Sequence, residues 1–108
     1  MNVSLATAQL ADPAAMERFL SPIPNSAQLA QILEPGRPIS SRAFDDDTWT
    51  ARFVASDGAR VKCFTVTDIT IDQAEMIASV CDDFSTWQET DFSDMVKRVL
   101  APTPDLPK

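Results

Sequence analysis

The stretch that most constrains this chain is residues 47–66. Two runs rich in β-branched and aromatic residues, 49–54 and 61–66, flank Ser56-Asp57-Gly58-Ala59. Asp-Gly between such runs is a strong hairpin signal, because a tight primed turn demands positive φ, which Gly adopts without steric cost. A two-residue loop at Asp57-Gly58 predicts a register with Val54 opposite Val61, Arg52 opposite Cys63, Thr50 opposite Thr65, Ala51 opposite Phe64 and Trp49 opposite Val66. Side chains alternate across a strand. One face is therefore expected to carry Trp49, Ala51, Phe53, Phe64 and Val66, with Lys62 opposite Phe53 at the rim, its stem along the ring. The other face carries Thr50, Arg52 and Thr65 around Val54, Val61 and Cys63. The oily face needs a cover, and helices on either side of the hairpin in sequence can supply it.

Residues 1–11 are small and weakly periodic and read as a loose arm or a helix start. Asp12-Pro13 is an N-cap followed by proline at the first helical position, so a short helix is predicted over 13–20. The Pro22-Ile23-Pro24 segment stops it. Asn25-Ser26, with Gln28 in capping-box position, predicts a second helix over 27–33 with Leu29, Ile32 and Leu33 as its stripe. Pro35-Gly36-Arg37-Pro38 ends that helix. Residues 39–44 suit a third, edge strand, with Asp45-Asp46-Asp47 as the turn into the main hairpin. Downstream, Thr70-Ile71-Asp72-Gln73 is a second capping-box pattern and predicts a helix over 71–84. Its apolar half is Ile71, Ala74, Ile77, Ala78, Val80, Cys81 and Phe84, opposite Asp72, Glu75, Ser79, Asp82 and Asp83. A connector bearing Trp87 leads to a last helix, capped by Thr90 or Asp91 and reaching Ala101, with Phe92, Met95, Val96, Val99 and Leu100 at helical spacing. The expected fold is α+β: one domain over 1–101, a two- or three-stranded antiparallel meander flanked by two N-terminal and two C-terminal helices, with helices on the Trp49-Phe53-Phe64 face. A Pro-rich flexible tail is expected over 102–108.

Composition excludes much chemistry. The 108 residues contain no His and no Tyr, and only two Gly. Imidazole-based catalysis, imidazole metal sites and phosphate-cradling glycine loops are thereby removed. Two cysteines cannot form a tetrahedral zinc site. Cys63 and Cys81 are expected on different faces of the sheet, as unbridged apolar residues. Carboxylates remain, but neighbouring acids such as Asp82 and Asp83 diverge on a helix, so a paired-carboxylate enzyme is the weakest reading. The Asp45-Asp46-Asp47 run lacks the spacing and glycine of a calcium loop. No metal and no cofactor are expected.

The formal net charge is −7 and unevenly placed. Asp12, Glu17 and Glu34 balance Arg18, Arg37 and Arg42 in the first 44 residues, whereas residues 63–96 hold eight acids and no Lys or Arg. Direct binding of nucleic acid or an anionic membrane surface is disfavoured by this sign. No apolar run is long enough to span a bilayer. The N-terminus lacks a basic segment followed by an oily core, so the expected location is cytoplasmic. A polar helix face needs acids or bases only for solubility, and that accounts for any single acid here. It does not account for the exclusion of bases, since mixed signs give favourable pairs and like charges at helical spacing repel. Closely spaced carboxylates complement a basic cleft.

The leading expectation is therefore a non-catalytic acidic binding protein. It would inhibit a basic, nucleic-acid-binding partner through Asp72, Glu75, Asp82, Asp83, Trp87 and Glu89. Small phage inhibitors, including some anti-CRISPR proteins, mimic nucleic acid in this way, and the chain resembles them in size and charge alone. The alternative is an adaptor or assembly chaperone, phage-encoded in one version, that holds a partner segment in an apolar groove between helices. Either Trp49 or Trp87, if exposed, is the first candidate for a protein contact.

Overall fold

The computed structural model describes residues 2–81 and 87–101. Their order is β1 (Asn2–Gln9), α1 (Pro13–Leu20), α2 (Ser26–Ile32), β2 (Ile39–Asp45), β3 (Thr50–Ser56), β4 (Arg60–Thr67), α3 (Ile71–Val80) and α4 (Glu89–Leu100). The fold is α+β, and its four strands form one antiparallel sheet in the order β1-β4-β3-β2. The third strand at 39–44 is present as β2. The expected meander gains a fourth strand, because the first residues are not a loose arm or helix but β1, which pairs with β4 along its whole length. Its alternation is hidden by small residues. Val3 and Leu5 pack on one face near its start, and Ala8 is buried on the other near its end.

The expectation of helices on one face is corrected: both faces of β3 and β4 are buried. Phe53, Phe64 and Val66 form a core with Ile77, Phe92, Met95 and Val96 from α3 and α4. Val54, Val61 and Cys63 form a second core with Phe19 of α1, joined by Met16, Leu20, Leu29 and Leu33. The face lined by Val54 and Cys63 is too apolar to be left in water, and the N-terminal helices cover it. Cys63 and Cys81 belong to opposite layers and are not joined by a disulfide. Burial pushes the Cys63 thiol pKa up.

On the first core, Phe92 stacks on Phe64 with ring centroids 4.3 Å apart and planes 6° from parallel. Phe53 meets Phe92 at 5.4 Å, tilted by 48°. Trp87 approaches Phe92 edge-on at 6.1 Å. Lys62 also lies on this face, opposite Ala55 rather than Phe53, and only 8% exposed. Its Nζ donates to the Trp87 carbonyl at 2.7 Å, which ties the segment before α4 to the sheet.

The hairpin register differs from expectation by two residues. Val54 pairs with Cys63, Ala51 with Val66, and Ser56 with Val61, so Gly58-Ala59 is the corner. A two-residue shift preserves which face each side chain occupies. Asp57 stands before the corner rather than in it, and its Oδ1 accepts from the Ala59 and Arg60 amides at 2.9 Å. Those bonds lower the Asp57 pKa. Of the two corner residues, Gly58 takes positive φ, at 95°, and Ala59 does not. Its carbonyl accepts from the Gly36 amide at 2.6 Å, so the corner abuts the α2–β2 connection.

Helix ends follow local capping. Asp12 accepts from the Ala15 amide, and Thr70 and Gln73 cap each other, both as their sequence patterns predict. Asn25 does not cap α2 with its side chain. It is left-handed instead, and α2 has no buried residue. In place of the expected Thr90 or Asp91 cap, a Gln88–Asp91 box starts α4 two or three residues earlier. Helix α3 ends at Val80 rather than at Phe84, and Phe84 and the 102–108 tail lie outside the described residues.

Phe92→Ala is expected to cost about 3–5 kcal/mol, because it empties the centre of the aromatic cluster; chemical denaturation measures this. Gly58→Ala should be costlier than Gly36→Ala, although both glycines have positive φ. A Cβ at Gly58 would lie 3.0 Å from the Gly36 carbonyl carbon, whereas one at Gly36 meets nothing within 4 Å. The expected costs are about 2–3 kcal/mol against about 1 kcal/mol, read from melting and denaturation curves.

Candidate functional site

The β2–β3 turn and the β4–α3 link lie at the same end of the sheet. Asp45 pairs with Thr50, and Thr50 pairs with Thr67, so residues 46–49 and 68–70 emerge side by side. The Ile69 amide donates to the Trp49 carbonyl at 3.2 Å and joins the two. In the turn, the half-buried Asp45 accepts from the Asp47 amide at 2.9 Å, and the Thr50 hydroxyl donates to the Thr48 carbonyl at 3.0 Å. Trp49 and Asp68 adopt positive φ, at 52° and 63°. For an indole-bearing residue this backbone is uncommon.

Trp49 was expected in the strand, on the apolar face. It falls in the turn instead and is 53% exposed. Around it this end of the sheet presents exposed Asp46, Asp47 and Asp68, then Asp72 and Glu75 on α3. No Lys or Arg occurs in 45–51 or 63–81. The exposed arc of α3 runs, in order around the helix, Ile71, Glu75, Ser79, Asp72, Met76 and Val80. Ile71 and Val80 were expected in the buried half but are 53% and 49% exposed. Ala74 and Ile77 alone are fully buried along α3, so its outer face is an acidic centre with apolar flanks. Such a mixture suits protein recognition, with charge for orientation and apolar area for affinity.

The residues singled out in the sequence separate. Asp72 and Glu75 are exposed on this face, while Asp82 and Asp83 lie outside the described residues. Trp87 is half-buried and packs against the first core. Glu89 starts α4, and its Oε2 accepts from the Leu5 amide at 3.0 Å. That amide is on the outer side of β1, an edge strand, so Glu89 satisfies a sheet edge. Sequence reasoning missed Asp46, Asp47, Asp68 and Trp49 as members of one surface. The available signal was the acid run beside a tryptophan; the pairing that brings Asp68 alongside is non-local.

An open cleft of about 600 Å³ lies between α2 and the sheet, lined by Leu29, Ile32 and Val54 but also by Arg42, Arg52 and the Asp45-Asp46-Asp47 run, so it borders the acidic turn. The apolar groove anticipated between helices thus has its nearest counterpart between a helix and the sheet, with a mixed lining. Among the described residues, no group of three or more Cys, Asp or Glu could hold a metal ion, and no helix is long and apolar enough to cross a membrane. Comparisons with protein-family models, curated proteins and solved structures find no match.

Glu89→Ala should cost about 1 kcal/mol, because it removes a charged acceptor from an exposed edge amide. Glu89→Gln, which keeps an acceptor, should cost less. Urea denaturation of the two variants beside wild type checks the order.

Proposed function

We propose that this chain is a non-catalytic binding protein whose acidic end engages a basic surface of a partner protein. The observation that carries the reading is that Asp46, Asp47, Trp49 and Asp68, all exposed, emerge side by side at one end of the sheet, followed along the chain by exposed Asp72 and Glu75 on α3; the nearest bases, Arg42 and Arg52, line the cleft that Asp46 and Asp47 border. Separated acids on one rigid end of a sheet project a sustained negative potential, which steers a cationic partner. Trp49 and the flanking Ile71, Met76 and Val80 supply apolar area that charge alone lacks. In its sharpest form the partner is a nucleic-acid-binding protein and the chain its inhibitor, the carboxylates occupying positions that phosphates would take, as phage anti-defence inhibitors do. The cleft beneath α2 favours a second reading, an adaptor that holds an apolar partner segment there.

Salt separates the two. Binding through the acidic end should weaken steeply from low to physiological salt, whereas binding in the cleft should change little. The partner is to be captured from a host lysate on the immobilised chain, identified by mass spectrometry and titrated calorimetrically. Changing Asp46, Asp47, Asp72 and Glu75 together to Lys should leave the circular dichroism spectrum unchanged, since exposed charges contribute little to folding. It should weaken partner binding by about a hundredfold or more, through lost steering and lost ion pairs. Because Asp46 and Asp47 also border the cleft, lost binding counts for the acidic end only if Leu29→Asp, within the cleft, binds as tightly as wild type; a folded quadruple variant that binds as tightly as wild type removes the acidic-end reading.

A further inference from the structure

We infer that the β2 edge is a self-association surface, on which a second copy of this chain pairs β2 to β2 and joins two four-stranded sheets into one of eight strands. This does not rest on the partner-binding reading and uses neither Trp49 nor α3's acidic face.

The two sheet edges are treated differently. On β1 the outward Leu5 amide is satisfied by Glu89. On β2, the other end of the strand order, nothing among the described residues pairs with the outer side. An uncovered edge strand of seven residues is a template for strand addition. There is space beside it on both faces. The cleft beneath α2 reaches Ser41, Ala43 and Asp45, and a second cleft, of about 360 Å³, lies along Ser40, Ser41 and Arg42 beneath Ala78 and Cys81.

Charge along the strand selects the occupant. Two residues before the strand starts the chain carries a base, Arg37, and the strand ends on an acid, Asp45. An antiparallel copy reverses that order and brings opposite signs together. With a two-fold axis through Ser41, perpendicular to the sheet, Ser41 faces its own copy. Within the strand Ile39 then faces Ala43 and Ser40 faces Arg42; extended two residues before β2, the same register sets Pro38, which has no amide to donate, against Phe44 and Arg37 against Asp45, each pair occurring twice by symmetry. Paired residues have the same parity, so each pair falls on one face of the joined sheet. The neighbouring register, centred on Arg42, would set two guanidinium groups against each other. Arg42 thus acts as a register selector, since like charges directly opposite are unfavourable.

The test is sedimentation equilibrium of the full chain at about 0.15 M salt, where the Debye length of about 8 Å suppresses the long-range repulsion between two chains of net charge −7. Wild type should show a concentration-dependent monomer–dimer equilibrium. Arg37→Asp and Asp45→Arg should each weaken the dimer by about tenfold or more, because each converts two facing pairs from attraction to repulsion. The combined charge swap should recover wild-type affinity to within about threefold. Asp45 also holds the turn through the Asp47 amide, so circular dichroism accompanies its variants; the Arg37 side chain holds no such turn, and Arg37→Asp stands as an independent arm. A chain that stays monomeric at the highest attainable concentration overturns the inference and leaves the edge to an extended segment of another protein. A dimer insensitive to both reversals, or a double variant no better than either single one, overturns this pairing.

Discussion

The β3–β4 hairpin has two apolar faces, and every other element answers to that. Phe53, Phe64 and Val66 demand a cover on one side, and Val54, Val61 and Cys63 on the other. One helical layer cannot meet both demands. The N-terminal pair, α1 and α2, takes the second face, and the C-terminal pair, α3 and α4, takes the first. With both layers engaged, the sheet's polar opportunities are confined to its ends and edges. The candidate functional features lie there for that reason.

The two layers are unequally tight. The C-terminal layer is locked by the Phe92 stack on Phe64 and by the Lys62 ammonium bound to the Trp87 carbonyl. The N-terminal layer is anchored mainly by Phe19, and α2 contributes no fully buried residue. A helix that leaves an open cleft beneath it is drawn from the low-stability part of a structure, where rearrangement is least costly.

Legibility varied with the range of the deciding interaction. The α1 range and cap and the Thr70–Gln73 box were readable, because each depends on residues within one turn. The sides taken by the hairpin residues were also readable, since alternation survives a two-residue slip. The exact register was not, because Asp57 serves either as a turn residue or as the carboxylate that bonds Ala59 and Arg60. Residues 2–9 concealed a strand: their burial changes face midway, and their small side chains give little periodic contrast. Among the site candidates, Asp72 and Glu75 follow from the helix wheel. Trp49 and Trp87 exchanged expected roles, since one lies in a positive-φ turn and the other packs on Phe92.

By itself, the sequence determined the α+β class, the caps of α1 and α3, the central hairpin, the β2 strand, and the absence of histidine-based chemistry. It also determined that the acidic excess begins after residue 44. Those properties depend on composition or on neighbours a few positions apart. The tertiary structure decided that helices cover both faces and that β1 closes against β4. It also brought Asp46, Asp47 and Trp49 alongside Asp68, and turned Glu89 onto the β1 edge, while no described residue pairs with the outer side of β2. Each of these joins residues far apart in the chain, and local propensity carries no information about which distant surfaces must meet to remove apolar area from water.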